Sequence, residues 1–214
     1  MPLADDLARD LLRIGAVALR PDDPFTWASG RLSPVYTDNR LALSVPEVRT
    51  RVADGFTSLA RGLDRIGAVS GTATAGIAPG VLLADRLGVP FSYVRSSAKG
   101  HGRQNRIEGR VEAGQRIVIV EDLVSTGGSV LSAAEALREA GAKPVAALAV
   151  FTYGFPEADR AFTEAGLPLH TLTDFPTLAR VAAETGALED DAWDVLKDWC
   201  DDPAGWSAAR GGAG

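Results

Sequence analysis

Two carboxylates and a turn of glycines and hydroxyl residues lie near the middle of this 214-residue sequence. Glu121 and Asp122 come directly after four branched apolar residues, Ile117–Val120, and the turn Ser125–Ser129 follows two residues later. Carboxylates accept hydrogen bonds from the vicinal hydroxyls of a sugar, whereas they repel phosphate. Glycines let backbone N–H groups approach an anion, hydroxyls add donors, and a helix N-terminus adds partial positive charge. The segment therefore predicts a site for a sugar beside its own phosphate.

Two other phosphate motifs do not fit this segment. A Walker A loop needs Gly-Lys-Ser/Thr at its end, and no lysine follows the glycines here. A dinucleotide fingerprint places its acidic residue after the glycines, whereas the acidic pair here precedes them. Thr126-Gly127-Gly128 taken alone also fits a tight strand-to-helix turn with two solvated acids, but the whole run of residues 117–129 favours the sugar-phosphate site.

A second candidate site is the polar segment Arg95–Gly109, which we call the lid loop. It contains four of the chain's 22 basic residues and one of its two histidines, with almost no apolar anchor. In an otherwise acidic protein, such a segment would suit a lid that closes over a polyanionic substrate and excludes water. By composition alone, a solvated surface loop is the favoured alternative.

Apolar runs of strand length alternate with amphipathic segments of helix length, which is typical of an α/β fold around a mainly parallel sheet. The pattern predicts strands at residues 66–70, 91–94, 117–120 and 145–151. Apolar residues recur at helical spacing within 3–19, and further helices are predicted at 46–62, 77–87, 129–140, 157–165, 175–185 and 190–199. Ligands bind at the carboxyl ends of parallel strands, so the end of the strand at 117–120 is expected to face the ligand.

Composition argues against several other classes of protein. The net charge of −6 and the lack of a long basic stripe argue against a nucleic-acid-binding module. The sequence has no apolar stretch near the ~20 residues that a membrane helix needs, and its first residues do not resemble a signal peptide. We therefore expect no nucleic-acid or membrane partner and a cytoplasmic location, with which the single cysteine, Cys200, agrees.

The scarcity of soft ligands argues against a zinc site, because the chain has two histidines and one cysteine. His170 lies beside Leu169 and near Leu172, which favours a structural role for it. Cys200 is expected to be a structural thiol, because no histidine lies near it in sequence. Any metal is expected to be a hard ion such as Mg²⁺, brought largely by the substrate's own phosphates.

The acidic pair and its turn resemble the signature with which type I phosphoribosyltransferases bind 5-phosphoribosyl 1-pyrophosphate (PRPP). The Lys99-x-His101-Gly102 core of the lid loop is similar to the catalytic loop of orotate phosphoribosyltransferases. Further segments that look like parts of that family follow in order: Phe25–Gly30 with Ser33–Asp38 as the N-terminal segment, Gly71–Ile77 as the pyrophosphate loop, and Phe151–Gly154 near the base. The resemblance covers residues 5 to about 185.

This resemblance implies a type I phosphoribosyltransferase fold, a mainly parallel twisted sheet flanked by helices with a small N-terminal hood. We expect one domain over residues 1–205, divided into the hood (about 1–45), the core (about 46–185) and a C-terminal helix (about 188–202), with a disordered tail at 206–214. The implied activity is that of a pentosyltransferase that joins orotate to the ribose of PRPP in pyrimidine (UMP) synthesis. The resemblance also implies a homodimer whose lid loop reaches the neighbouring active site.

The resemblance assigns roles to individual residues. Lys99, His101 and Asp122 are the expected catalytic residues: the first two meet the leaving pyrophosphate, and Asp122, with Glu121, orients the ribose. PRPP is expected to contact Arg95, Lys99, His101, Thr72, Thr74, Glu121, Asp122, Ser125, Thr126, Gly127, Gly128 and Ser129. Orotate is expected to contact Phe25, Tyr36, Ser125 and Tyr153. No side chain is assigned as a direct ligand of Mg²⁺, which arrives with PRPP and is expected near Asp122.

The chain departs from the family pattern at positions where some members carry a cation, namely Ala28, Ala75, Ser96 and Tyr153. The candidates to compensate are Arg40, Arg95 and Arg103. Because base choice depends on a few contacts in the hood and at strand ends, a phosphoribosyltransferase for uracil or a purine is an alternative. A PRPP-binding regulator on the same fold is another, but it predicts a degraded lid or an added basic surface, and the sequence shows neither.

Overall fold

A computed structural model describes residues 2–27, 29–97, 106–188 and 192–213. The strands are β1 (Val17–Leu19), β2 (Phe25–Thr26), β3 (Leu32–Ser33), β4 (Val35–Thr37), β5 (Ala68–Thr72), β6 (Phe91–Val94), β7 (Ile107–Glu108), β8 (Arg116–Val124), β9 (Lys143–Thr152) and β10 (Leu169–Asp174). The α-helices are α1 (Pro2–Arg13), α2 (Pro46–Arg61), α3 (Ile77–Leu87), α4 (Gly128–Glu139), α5 (Pro156–Glu164), α6 (Phe175–Glu184), α7 (Ala192–Asp201) and α8 (Pro203–Ala208). A 3₁₀ helix covers Asn39–Ser44.

Six strands form the main sheet, in the order β10-β9-β8-β5-β6-β7. Neighbouring strands are parallel except for β6 and β7, which pair antiparallel at one edge. In the central strand β8, the apolar run Ile117–Val120 is fully buried. Strands of a parallel sheet are covered on both faces, which is why this run lacks the alternation of a half-exposed strand. The predicted mainly parallel α/β sheet is confirmed.

Helices cover both faces of the sheet. Successive side chains of a strand point to opposite faces, so Val118 and Val120 pack in one apolar cluster with α1, α2, α3 and α6. Ile117 and Ile119 pack in a second cluster with α4 and α5. The two clusters hold the carboxyl ends of β5 and β8 side by side, at the edge where the candidate site residues follow.

Helices α2 to α7 begin and end within two residues of their predicted bounds. The N-terminal segment differs from the helical spacing read over 3–19, because α1 ends at Arg13 and Val17–Leu19 pairs with β4 as a strand. Gly15 adopts a φ of 71° just after the helix, a left-handed conformation that commonly ends helices. The short ladders β1–β4 and β2–β3 belong to the hood.

The segment after Asp201, where we expected a disordered tail from residue 206, is folded. Asp202 caps helix α8 by accepting a hydrogen bond from the Gly205 N–H at 2.9 Å, and Trp206 and Ser207 are buried. The glycine and alanine content suggested disorder, but one buried tryptophan and a capped start are enough to anchor this short helix. No helix in the described ranges has the length and apolar character needed to cross a membrane.

Candidate active site

The acidic pair lies at the carboxyl end of β8. The strand continues four residues past the predicted stretch, to Val124, so both carboxylates are part of it. Glu121 is buried, and its carboxylate accepts a hydrogen bond from the Asp122 N–H at 3.0 Å. Asp122 is half-buried and lines a small pocket. The pair therefore combines a buried carboxyl with a more accessible one at the open end of the sheet.

Burial is the main influence on the charge of this pair. The pKa of Glu121 is raised to about 8, chiefly by burial; the charge of Asp122 contributes to this rise and the Thr72 hydroxyl opposes it. Burial likewise raises the pKa of Asp122, while the positive charge of Arg40 lowers it. Two adjacent buried carboxyls do not readily ionise together. The free site therefore tends to hold one proton and one negative charge on the pair at neutral pH.

The turn Ser125–Gly127 leads directly into α4, which begins at Gly128. Gly127 has a φ of 84°, and a Cβ added there would lie 2.6 Å from the Phe162 ring, so both backbone and space require glycine. The first N–H groups of an α-helix have no acceptor within the helix. Thr126, Gly128 and Ser129 are exposed around this helix start. The turn therefore presents N–H groups and hydroxyls to an anion.

The candidate pyrophosphate loop follows β5 and packs against β8. A Cβ at Gly76 would overlap the carbonyl oxygen of Val120 and lie 2.6 Å from the Thr72 hydroxyl. The Thr72 side chain is buried and donates a hydrogen bond to the Val120 carbonyl at 3.1 Å. The hydroxyl of Thr72 thus ties β5 to β8, and the expected contact of Thr72 with PRPP stays a prediction. Thr74 is exposed, and the Ala73–Thr74 peptide bond is cis.

These loops and the base of the lid loop enclose one cleft. It is lined by Thr72, Ala73, Val94, Arg95, Ser96, Arg106, Gly128, Ser129, Ser132 and Ala133. Arg95 forms an ion pair with Glu108 at 3.2 Å, and Arg106 donates a hydrogen bond to the Ser132 hydroxyl at 2.9 Å. The structure therefore brings Thr72, Arg95 and Ser129 together, and it adds Arg106, which we did not single out from the sequence.

A smaller pocket is lined by Asp122 and by Ala75 of the pyrophosphate loop. Asn39, Arg40, Ala75 and Asp122 supply part of its wall. Asn39 donates a hydrogen bond to the Asp122 carbonyl at 2.8 Å, and Arg40 forms a two-point ion pair with Asp38 at 2.6 and 2.9 Å. Arg40 thus reaches the wall formed by Ala75, where some family members have lysine. Asn39 was not predicted as a site residue, although it directly follows the hood motif Ser33–Asp38.

The aromatic residues expected at the base divide into two groups. Phe25 and Tyr36 pack against each other with ring centroids 5.5 Å apart, and Tyr36 is 45% exposed. Tyr153 is 2% exposed, and its hydroxyl donates a hydrogen bond to Thr37 at 3.1 Å. The structure therefore places Tyr153 in the core, not at the open face where we expected it to meet orotate. Burial also raises the pKa of Tyr153 to about 12, so its hydroxyl is a hydrogen-bond donor.

Residues 58–161 match the family of the phosphoribosyl transferase domain. The chain is 51% identical to the orotate phosphoribosyltransferase of Cutibacterium acnes, over 97% of each chain. It is 52% identical to that of Bacillus pumilus, over 92% of this chain and 94% of the other. The chain belongs to the orotate phosphoribosyltransferase family. The crystal structure of the orotate phosphoribosyltransferase from Aeropyrum pernix is similar in fold, with a TM-score of 0.74 and 32% identity over 86% of this chain and 99% of that one.

For a member of the orotate phosphoribosyltransferase family, the described residues include the acidic pair and the turn that we expect to meet the sugar and its phosphate. Lys99, His101 and Arg103 lie outside the described residues, as does Ala28. The roles expected of Lys99 and His101 therefore stay predictions from the sequence. What the structure contributes is the base of the lid loop, where Arg95 and Arg106 line the same cleft as Ser129.

Proposed function

We propose that the protein transfers the 5-phosphoribosyl group of PRPP to orotate, giving orotidine 5′-monophosphate and pyrophosphate, a step of de novo pyrimidine biosynthesis. The observation that carries this proposal is the acidic pair of β8 placed directly before the phosphate turn, in a chain of this family. A ring nitrogen of orotate forms a bond to the anomeric carbon of the ribose as the bond from that carbon to pyrophosphate oxygen breaks. Cytoplasmic location is part of the proposal.

We assign the sugar and its 5′-phosphate to the end of β8. Asp122, with Glu121, accepts hydrogen bonds from the ribose hydroxyls, and residues Ser125 to Ser129 bind the 5′-phosphate. Positive charge develops on the ribose as pyrophosphate leaves, and a nearby carboxylate stabilises it. Holding both substrates in line contributes further, without a covalent intermediate.

The leaving pyrophosphate requires cations. We assign Lys99 and His101 to this charge, acting from the lid loop of the partner subunit in a homodimer. Asp122 offers a hard oxygen donor that suits Mg²⁺, and no cluster of three or more metal-binding side chains occurs within the described part of the chain. This donor set fits an ion held chiefly by the phosphates of PRPP, with Asp122 nearby. The ion would neutralise part of the pyrophosphate charge.

We propose that Arg40 and Arg95 replace the cations that this chain lacks at Ala75 and Ser96. Arg40 and Ala75 line one pocket beside Asp122, and Arg95 and Ser96 line the cleft beside Ser129. Alanine variants of Arg40, Arg95 and Arg103 should bind PRPP more weakly when titrated at equilibrium. Arg65→Ala is the control, because Arg65 is highly exposed and its near partner is the adjacent Asp64. Unchanged affinity in all three variants would refute this replacement.

The activity is tested by mixing the protein with orotate, PRPP and Mg²⁺ and following the loss of the ultraviolet absorbance of orotate. We expect consumption that depends on both PRPP and Mg²⁺, with little use of uracil or hypoxanthine. Activity on another base alone would keep the PRPP chemistry and overturn the choice of orotate. Binding of PRPP without activity on any base would favour a regulator.

A further inference from the structure

The C-terminal segment, residues 192–213, contacts the hood at the turn between β2 and β3. The Ser207 hydroxyl is buried and accepts a hydrogen bond from the Leu32 N–H at 2.9 Å. It also donates a hydrogen bond to the Ala213 carbonyl, and the Ala213 N–H donates to the Gly30 carbonyl at 2.9 Å. The segment thus holds Gly30, which lies in the turn, and Leu32, the first residue of β3.

An aromatic cluster makes the second contact between this segment and the hood. Trp199 of α7 is fully buried and meets Trp27 edge-on, with ring centroids 6.1 Å apart. Both tryptophans also pack on Tyr153, at 5.9 and 5.3 Å. The Trp27 indole N–H donates to the Val35 carbonyl at 3.3 Å, which connects the cluster to β4.

The third link runs through Tyr153 to the end of β4. The ring of Tyr153 packs on Trp199, and its hydroxyl donates to Thr37. Thr37 directly follows the exposed Tyr36. All three links therefore end on the stretch from Phe25 to Thr37, which carries the rings of Phe25 and Tyr36 that are expected to contact orotate.

Two-stranded ladders as short as β2–β3 are not stable alone, so the hood takes its geometry from what it packs against. We propose that the C-terminal segment positions the hood and thereby sets the affinity for orotate, with Ser207 and Trp199 as positioning residues. This inference rests on the proposed transfer to orotate and on the binding of orotate by Phe25 and Tyr36, which is expected from the sequence. The inference predicts different effects on the two substrates. PRPP is assigned to the ends of β5 and β8 and the start of α4, whereas the contacts described above all end on the hood.

The test compares Ser207→Ala in the full-length protein with Ser58→Ala, since Ser58 is exposed on α2. Ser207→Ala should raise KM for orotate about three- to tenfold, the effect of losing one or two hydrogen bonds. Its kcat and its KM for PRPP should stay within about twofold of the parent, and Ser58→Ala should change neither constant. A merely structural role would lower the active fraction, and therefore kcat, with both KM values unchanged, and that result would overturn the proposal.

A second pair of variants keeps the proposal testable if Ser207→Ala does not fold. Trp199→Phe replaces the indole at the centre of the cluster with a smaller phenyl ring. Trp193→Phe is its control, because Trp193 lies on the same helix and is 39% exposed. The same selective rise in KM for orotate is expected for Trp199→Phe. An unchanged KM for orotate in the folded variant refutes the positioning role. Absence of orotate transfer in the parent protein would instead refute the proposed function, so the two failures are distinguishable.

Discussion

Lys99 is expected to act when pyrophosphate departs, because negative charge on the leaving group grows in the transition state. An interaction made mainly in the transition state affects turnover more than substrate binding. We predict that Lys99→Ala lowers kcat about 100-fold, as loss of one stabilising group commonly does, and weakens PRPP binding much less. Steady-state kinetics with equilibrium PRPP titration measure the two effects.

Lys143→Ala is the matched control for Lys99→Ala. Lys143 is exposed at the first residue of β9, and ligands of parallel sheets bind at the opposite, carboxyl ends of the strands. Its kinetics should equal those of the parent. If Lys99→Ala changed KM for PRPP alone and left kcat intact, the assigned role would be wrong.

Glu121 makes stability depend on pH in the substrate-free protein. Burial raises its pKa to about 8 from 4.5, so the folded state holds a proton that the unfolded state has lost over this interval. The free energy of unfolding therefore falls as pH rises from about 5 to 8. The free energy of unfolding is measured by urea unfolding at pH 5.5 and 8.5. Glu121→Gln should make its decrease between these two pH values smaller by about 1 to 3 kcal/mol. Parallel pH profiles for the parent and the variant would contradict the raised pKa.

At single positions, the sequence predicts chemistry better than it predicts orientation. Glu121 and Asp122 lie at the strand end as expected, because four branched apolar residues before a turn of glycines and hydroxyls favour a buried strand. Tyr153 was assigned to the base, whereas it is buried against Trp199, 46 residues later in the chain by their numbers. A contact across that distance in sequence leaves no local pattern.

The pyrophosphate loop depends on the closeness of β5 and β8. Gly76→Ala places a methyl group against the Val120 carbonyl and the Thr72 hydroxyl, neither of which can move without disturbing the sheet. We predict a loss of about 1 to 3 kcal/mol in the free energy of unfolding and weaker binding of PRPP. Chemical denaturation and PRPP titration measure these quantities.

Gly62→Ala provides the comparison for Gly76→Ala. Gly62 ends α2 with a φ of −80°, and a Cβ there would have its nearest neighbour at 3.4 Å. Stability and PRPP affinity should both stay near those of the parent. Equal losses in the two variants would show that the pyrophosphate loop has no special need for glycine.

Among the elements, the best predicted are those whose pattern is local. Helix α3 and strand β6 begin and end where the sequence placed them, because their apolar spacing and flanking glycines suffice. Helix α8 was missed because its stability comes from Trp206 and from the hydrogen bonds of Ser207 to the hood. Order that depends on a distant partner is not visible in the composition of the segment itself.

At the scale of the whole molecule, α7 is part of the hydrophobic core and not a helix attached to its surface. Trp199 is buried among rings from the loop that follows β9 and from α6. Trp199→Ala should lower the free energy of unfolding by about 3 to 5 kcal/mol, whereas Trp193→Ala should change it by less than about 1 kcal/mol. Urea unfolding of both variants measures the difference. Equal effects would mean that α7 packs as an independent appendage.

Two hydrogen bonds between Arg95 and Arg106 join the two ends of the lid loop. The Arg95 N–H donates to the Arg106 carbonyl, and the Arg106 side chain donates back to the Arg95 carbonyl, both at 2.9 Å. Beyond this closure, Val94 and Ile107 pair in register between β6 and β7. Because the entropy of closing a loop rises slowly with its length, the residues between can be replaced, shortened or lengthened as one cassette. Substitutions in the lid loop can thus change its chemistry during evolution while the main sheet keeps its structure.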